Sequence, residues 1–191
     1  MVYIHRQLRS GWLYNSVYGL SACNLEVSVL MDILAIDPGV MSGYCYGRIL
    51  EDKTVEIMPF QSMDEVDDLY RRLAAYNPRH IIMEDFEYRG GRNQTGINLF
   101  PVQLIGVARL YEMNAPDGKC ALRLQKAAQG KSYYSDVTLK NMKLYKRGIP
   151  HGIDAMRHLL QWLTFGSGYQ YITDAQNPYK LVSTWVKLEE Q

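Results

Sequence analysis

The period of apolar and polar positions changes several times along the chain, and each change marks an element. Residues 32–37 (DILAID), 42–50 (SGYCYGRIL) and 54–60 (TVEIMPF) are short β-rich runs. Pro38-Gly39 and Glu51-Asp52-Lys53 leave room only for tight turns between them, which predicts three successive antiparallel strands. Residues 62–77, SMDEVDDLYRRLAAYN, read as a helix, with Ser62 as N-cap, Glu65 three residues on, and Pro78 past the end. HIIMED, 80–85, is a further apolar strand ending in acid. A Gly/Arg/Asn loop then leads to a helical run over 97–113 with Pro101 in its first turns. KCALRLQ (119–125) reads as a strand, QGKSYYSDV (129–137) as a polar loop, and residues 137–145 and 151–165 as two helices. The order βββαβαβαα predicts an α/β domain with a mixed sheet flanked by helices.

The first thirty residues show no sustained period and precede Met31, so they read as an extension. Two explanations stand: translation begins at Met31, which is favoured, or an N-terminal arm packs on the domain or on a partner. The expected organisation is an extension over 1–30, a domain over 31–165 and a tail over 166–191. The tail carries Tyr169, Tyr171, Tyr179 and Trp185 without a clear period.

At 191 residues, 47% hydrophobic and 21% charged, the chain has the composition of one globular domain. Cys23, Cys45 and Cys120 are few and far apart, which argues against a disulfide framework or a cysteine zinc site and fits a reducing, cytoplasmic setting. No apolar run approaches the length needed to span a bilayer. The formal net charge of +1 neither demands nor excludes a nucleic-acid partner, but the basic residues are unevenly spread. Lys119, Arg123, Lys126, Lys131, Lys140, Lys143, Lys146 and Arg147 fall in one stretch with Asp136 as its single acid. That stretch is either a solvated face or a phosphate-facing one.

Three acids stand where side chains leave the packed layers. Asp37 ends the first strand, Glu84 ends the strand at 80–85, and Asp154 lies one turn into the last helix. Alternation places Glu84 with Ile82 and turns Asp85 to the other face, so Glu84 is the stronger candidate, with Asp85 either a helper or a solvated neighbour and Glu87 an outside candidate. His151, Asp154 and His158, at i, i+3 and i+7, share one helix face beside the docking stripe of Ala155, Leu159, Trp162 and Leu163. That polar face is either a solvated flank or a metal-facing edge. Carboxylates converging from distant segments repel one another unless cations intervene, and an oxygen-rich set suits Mg2+ or Mn2+ rather than zinc. Two such ions can support phosphodiester hydrolysis.

Three stretches also resemble one family. ILAIDPGVMSGY resembles the opening strand-turn-strand of the RuvC-like Holliday junction resolvases, within the ribonuclease H-like superfamily. IIMEDFEYRGGRNQTGINLFPVQLIGVARLYE resembles their segment with the second catalytic acid, and IPHGIDAMRHLLQWL their closing helix. The resemblance covers roughly Met31 to Phe165 and looks closest to bacteriophage members. It implies a ribonuclease H-like five-stranded sheet, three antiparallel strands followed by two parallel additions. It implies that Asp37, Glu84, His151 and Asp154 form the active site and hold Mg2+ or Mn2+, two ions per site. It also implies a homodimer paired through the 97–113 helix, nicking branched DNA symmetrically, with no small-molecule cofactor and no membrane partner. Tyr88, Arg89, Arg92, Asn93 and Gln94 would approach the junction, and Lys126, Lys131, Lys140, Lys143 and Lys146 would neutralise phosphates along its arms. Glu87 departs from the family, standing about where some members carry an aromatic.

Three other readings compete. A broader flap, branched-DNA or RNA–DNA hybrid nuclease would keep the same fold. An actin-like nucleotide-binding protein also has a strand ending in Asp and Gly, but it needs a hydroxyl residue where Val40-Met41 stand and a second subdomain. A DNA-binding module with a decayed site would not need all four candidate residues.

Overall fold

The computed structural model describes residues 28–87, 98–116 and 118–166, together with the backbone of 180–183. Strands β1 (Val29–Asp37), β2 (Ser42–Leu50) and β3 (Thr54–Ser62) form an antiparallel meander. Helix α1 (Val66–Tyr76) returns the chain to β4 (His80–Glu84), which pairs parallel with β1. Helix α2 (Phe100–Asn114) leads to β5 (Ala121–Gln125), parallel to β4. Helices α3 (Ala127–Tyr133), α4 (Asp136–Asn141) and α5 (Pro150–Gln161) follow, and α5 runs into one π-helical turn over Trp162–Gly166.

The sheet order is β5-β4-β1-β2-β3-β6. The five expected strands pair in the expected senses. A sixth, β6 (Lys180–Ser183), joins the other edge parallel to β3, so the segment read as a tail contributes backbone to the sheet. β1 begins at Val29, two residues ahead of Met31. Residues 1–27, and Tyr169, Tyr171, Tyr179 and Trp185 of the tail, lie outside the described residues.

Alternation along the strands divides the core into two layers. Ile33, Ala35, Cys45, Ile57 and Ile82 pack with Ile153, Met156, Leu159 and Leu163 of and beyond α5. Leu34, Ile36, Tyr44, Ile81 and Met83 on the opposite face pack with Leu69 and Leu73 of α1 and Leu104 and Ala108 of α2. A one-residue slip in β1 would exchange these sets, so its register is fixed by both helical layers.

Two expectations are corrected. Ser62 does not cap α1: it is the last residue of β3, held extended by pairing with Ser42. Glu65 takes the cap position, its N–H donating to Asp68 Oδ2 at 2.9 Å. The expected polar loop over 129–137 contains most of α3 and the start of α4. α3 has no apolar period of its own because it docks through Gly130, whose missing Cβ lets it approach Arg157 Cβ and the α5 backbone at Arg157 and His158.

The docking of α5 rests on two glycines. A Cβ on Gly43 of β2 would overlap the His151 carbonyl group, and one on Gly152 would lie 2.6 Å from the Phe60 carbonyl oxygen. The first turn of α5 therefore sits backbone against backbone on β2 and β3. Elsewhere Asp64, with its side chain 3% exposed, accepts hydrogen bonds from Arg72 Nε at 2.8 Å and Nη2 at 2.9 Å. The same guanidinium lies over the stacked rings of Tyr44 and Phe60. Burial alone would raise the Asp64 carboxyl, but the Arg72 hydrogen bonds and charge outweigh it and hold the group below its ordinary value.

Gly43→Ala is expected to cost about 3 kcal/mol, because the clash is with backbone, whereas Gly47→Ala, which meets only the end of the Leu159 side chain, costs about 1 kcal/mol. Urea denaturation compares the two. A depressed folded-state carboxyl contributes stability above its unfolded value, about 3.9, and loses it as pH falls further. Wild type should therefore weaken from pH 5 to pH 3 more steeply than Asp64→Asn, and parallel urea midpoints for the two proteins would refute this.

Candidate active site

Asp37 ends β1 and Glu84 ends the parallel neighbour β4, so both carboxylates emerge at the same edge of the sheet. The first turn of α5, seated on Gly43 beside Asp37 in the β1–β2 ladder, adds His151 and Asp154. His151 Nδ1 lies 2.9 Å from Asp37 Oδ2. One helical turn beyond Asp154, the buried His158 places Nε2 3.0 Å from Glu84 Oε2 and Nδ1 2.8 Å from Gln125 Oε1. The shared face of His151, Asp154 and His158 is therefore neither a solvated flank nor plain core. Each of the three contacts or supplies a site carboxylate.

Asp154 is paired twice. Lys131 Nζ of α3 lies 3.0 Å from its Oδ2, and Arg157 Nη1 donates to its Oδ1. Arg157 is itself buried, with Nε donating to the Tyr134 carbonyl oxygen at 2.7 Å and Nη2 to Asp136.

The three acids share one electrostatic field. Burial pushes the Asp37 carboxyl above its ordinary range, the His151 hydrogen bond draws it back, and the charges of Glu84 and Asp154 push it up again. Lys131 is held above the usual ammonium range, chiefly by its hydrogen bond to Asp154 and further by the fields of Glu84 and Asp37.

Two clefts flank the acids. One of about 310 Å3 opens between Pro38, Glu84, Phe86 and Pro101. The other, of about 230 Å3, lies beside Asp154 and is lined by Lys131, Lys146 and Arg157.

Among the described residues, no three His, Cys, Asp or Glu side chains are gathered into a ready ligand group for a metal. Asp37, Glu84 and Asp154 are turned instead onto His151, His158 and the Lys131–Arg157 pair. Their chemistry still fits a hard divalent cation. The donors are carboxylate oxygens with one imidazole, and Asp37 is the kind of partly buried, repelled carboxylate that such a cation relieves.

The chain was also compared with known proteins. Neither family models nor curated protein sequences match it. Solved structures do. Thermus thermophilus RuvC is 14% identical with a TM-score of 0.52, covering 72% of this chain and 98% of that one. The chain has the RuvC fold, of the ribonuclease H-like class. T. thermophilus RuvC in complex with Holliday junction substrate is 15% identical at a TM-score of 0.53, over 72% of this chain and 97% of that one. The yeast mitochondrial Holliday junction resolvase Ydc2 is 16% identical at 0.50, over 71% and 78%.

Tyr88, Arg89, Arg92, Asn93 and Gln94 lie outside the described residues. Lys126 stands 3.8 Å from Glu87, and Lys140 lies over the Tyr145 ring. Lys143 sits past α4 with φ +60. Asp85 is bound through its backbone N–H to the Gln125 carbonyl. Two site residues escaped sequence reading. Arg157 stands three residues after Asp154, a spacing that pairs charges on a helix. Gln125 ends β5 in register with Glu84, so the same strand-end rule points to it.

Replacing Arg157 leaves Asp154 and the Tyr134 carbonyl without their buried donor. Arg157→Met should destabilise the protein by about 3 kcal/mol. Asp136→Asn, at the exposed end of the same chain of contacts, should cost under about 1 kcal/mol. Equal urea midpoints for the two variants would contradict the buried pairing.

Proposed function

We propose that this chain is a metal-dependent, structure-specific endodeoxyribonuclease that resolves Holliday junctions and other branched DNA by paired symmetric nicks. The observation that carries the reading is the convergence of Asp37, Glu84 and Asp154, from three separate elements, into one field on a RuvC fold. The named function of the structural neighbours supports the substrate class.

Asp37, Glu84 and Asp154, with His151, would hold Mg2+ or Mn2+, two ions per site. When bound, such ions activate water and stabilise the leaving oxygen in phosphodiester hydrolysis. His151 fixes the orientation of Asp37 through their 2.9 Å hydrogen bond. Lys131, already in the field of all three acids, is placed to meet a phosphate oxygen once Asp154 takes up another cation. The two clefts give a strand room on either side of the carboxylates, and Lys146 together with Lys131 supplies cations along the second. Lys126, Lys140 and Lys143 extend the basic surface towards the arms, and the 88–94 segment follows soon after Glu84 in the chain.

Paired cuts need two sites, and α2 supports a homodimer. Its inner face buries Leu104, Ala108 and Tyr111, while Leu99, Val102, Leu110 and Met113 stand exposed on the opposite side. Gly106 lies in the same outward stripe, where an added Cβ would meet nothing within 4 Å. The spacing of 3, 4, 4 and 3 residues from 99 to 113 makes this one continuous apolar seam.

The test uses a synthetic four-way junction, a flap, an RNA–DNA hybrid and linear duplex, each with Mg2+, Mn2+ or EDTA. Metal-dependent paired nicks are expected in the junction, and Asp37→Asn, Glu84→Gln and Asp154→Asn should each lose more than about 100-fold in cutting while still binding it. Cutting by Asp37→Asn at the wild-type rate would overturn the mechanism. Preferential cleavage of flap or hybrid would redirect the substrate assignment. Leu110→Asp should give a monomer by light scattering and single nicks in place of paired ones; an unchanged mass would remove the α2 dimer.

A further inference from the structure

His158 differs from the other polar residues of the α5 face in being almost fully buried, with 2% of its side chain exposed. A buried imidazole is costly unless both ring nitrogens find partners, and both do, in Glu84 and Gln125. The two partners are unlike. An ionised carboxylate only accepts, so Nε2 carries the hydrogen in the contact with Glu84. An amide both accepts and donates, so Gln125 can complement Nδ1 whether that nitrogen is protonated or bare, by turning its amide over. Nε2–H therefore remains directed at Glu84 Oε2 in either state.

Gln125 is held in turn by the sheet. It ends β5 as the register partner of Glu84 on β4, is itself buried, and its carbonyl accepts from the Asp85 N–H at 2.7 Å. The chain of contacts thus runs from a rigid strand end, through a side chain of α5, to the one candidate ligand whose carboxylate hangs on three rotatable bonds.

We propose that His158 is a positioning residue for Glu84: its Nε2–H fixes Oε2 and leaves Oε1 to ligate a divalent cation. This rests on the reading of Glu84 as a metal ligand. Holding the carboxylate in one rotamer before the cation arrives removes ordering cost from binding, which is the role that outer hydrogen bonds play around metal ligands.

The experiment measures Mn2+ binding to the full-length protein by calorimetry, without DNA, for wild type, His158→Leu, His158→Gln and Gln125→Met. Junction binding in EDTA and thermal unfolding are followed alongside. His158→Leu is expected to weaken Mn2+ binding about 10- to 100-fold and leave EDTA-phase junction binding unchanged. His158→Gln, whose amide N–H reaches the same position as Nε2, should recover most of that loss. Gln125→Met should weaken Mn2+ in the same direction, and it decides the matter if the Leu variant does not fold. Wild-type Mn2+ affinity in a folded His158→Leu or Gln125→Met, or equal losses in the Leu and Gln variants, overturns the positioning role. A wild-type chain that neither binds Mn2+ nor cuts DNA overturns the nuclease reading and this inference together; one that does both beside an unaffected His158→Leu overturns this inference alone.

Discussion

The contact of α5 with the sheet is the constraint on which the site depends. Side chains normally hold packed elements about 10 Å apart, and at that spacing the first turn of α5 would stand clear of the strand ends. Gly43 and Gly152 remove the two Cβ atoms that would keep the backbones apart. The rest of α5 and the turn after it then follow the core, with Leu159 over Gly47 and Ile153, Met156 and Leu163 packed among the buried residues of β1 and β4. Because the helix is anchored at its first turn, His151 meets Asp37, Asp154 projects towards the same edge, and His158, two turns down, reaches Glu84 from below. Helix and strand ends form one unit, so the geometry of the acids is inherited from backbone packing rather than from loops.

That unit carries a charge problem and a local answer to it. Three carboxylates meet at one partly buried edge, and the Asp37 carboxyl rises in response to burial and to the other two charges. The protein sets cations and donors against each: His151, His158, Lys131 and Arg157. These partners differ in how easily they yield. Arg157 is buried and tied to Tyr134 and Asp136, whereas the Lys131 side chain is 57% exposed on a short helix and can leave Asp154 without breaking the core. The same arrangement stabilises the acids and leaves Lys131 as the partner that Asp154 can exchange most readily.

Much of this was legible in the chain. Short β-rich runs bounded by tight turns located β1, β2, β3 and β4, and period-two alternation assigned Glu84 and Asp85 to opposite faces, because strand geometry is local. The i, i+3, i+7 spacing placed His151, Asp154 and His158 on one side of α5 for the same reason. Local reasoning failed where tertiary contacts prevailed. Ser62 carries good capping chemistry, yet ladder pairing with Ser42 keeps it extended. Residues 127–133 lack an apolar period, yet Gly130 docks them as a helix against Arg157.

Short-range backbone periodicity, readable from the residues alone, thus set the order of elements, the two faces of the sheet and the three candidate acids, and it put His151 on the same helix face as Asp154; the set of four came from the family resemblance. Which partners Asp37 and Glu84 take was settled only by long-range packing. His151 lies 114 residues from Asp37, His158 lies 74 from Glu84 and 33 from Gln125, and no local rule relates them. Gln125, Lys131 and Arg157 are ordinary polar residues in the chain. Gln125 and Lys131 acquire roles only when packing brings them against His158 and Asp154, whereas Arg157 meets Asp154 within α5 and owes to packing only its burial and its contacts with Tyr134 and Asp136.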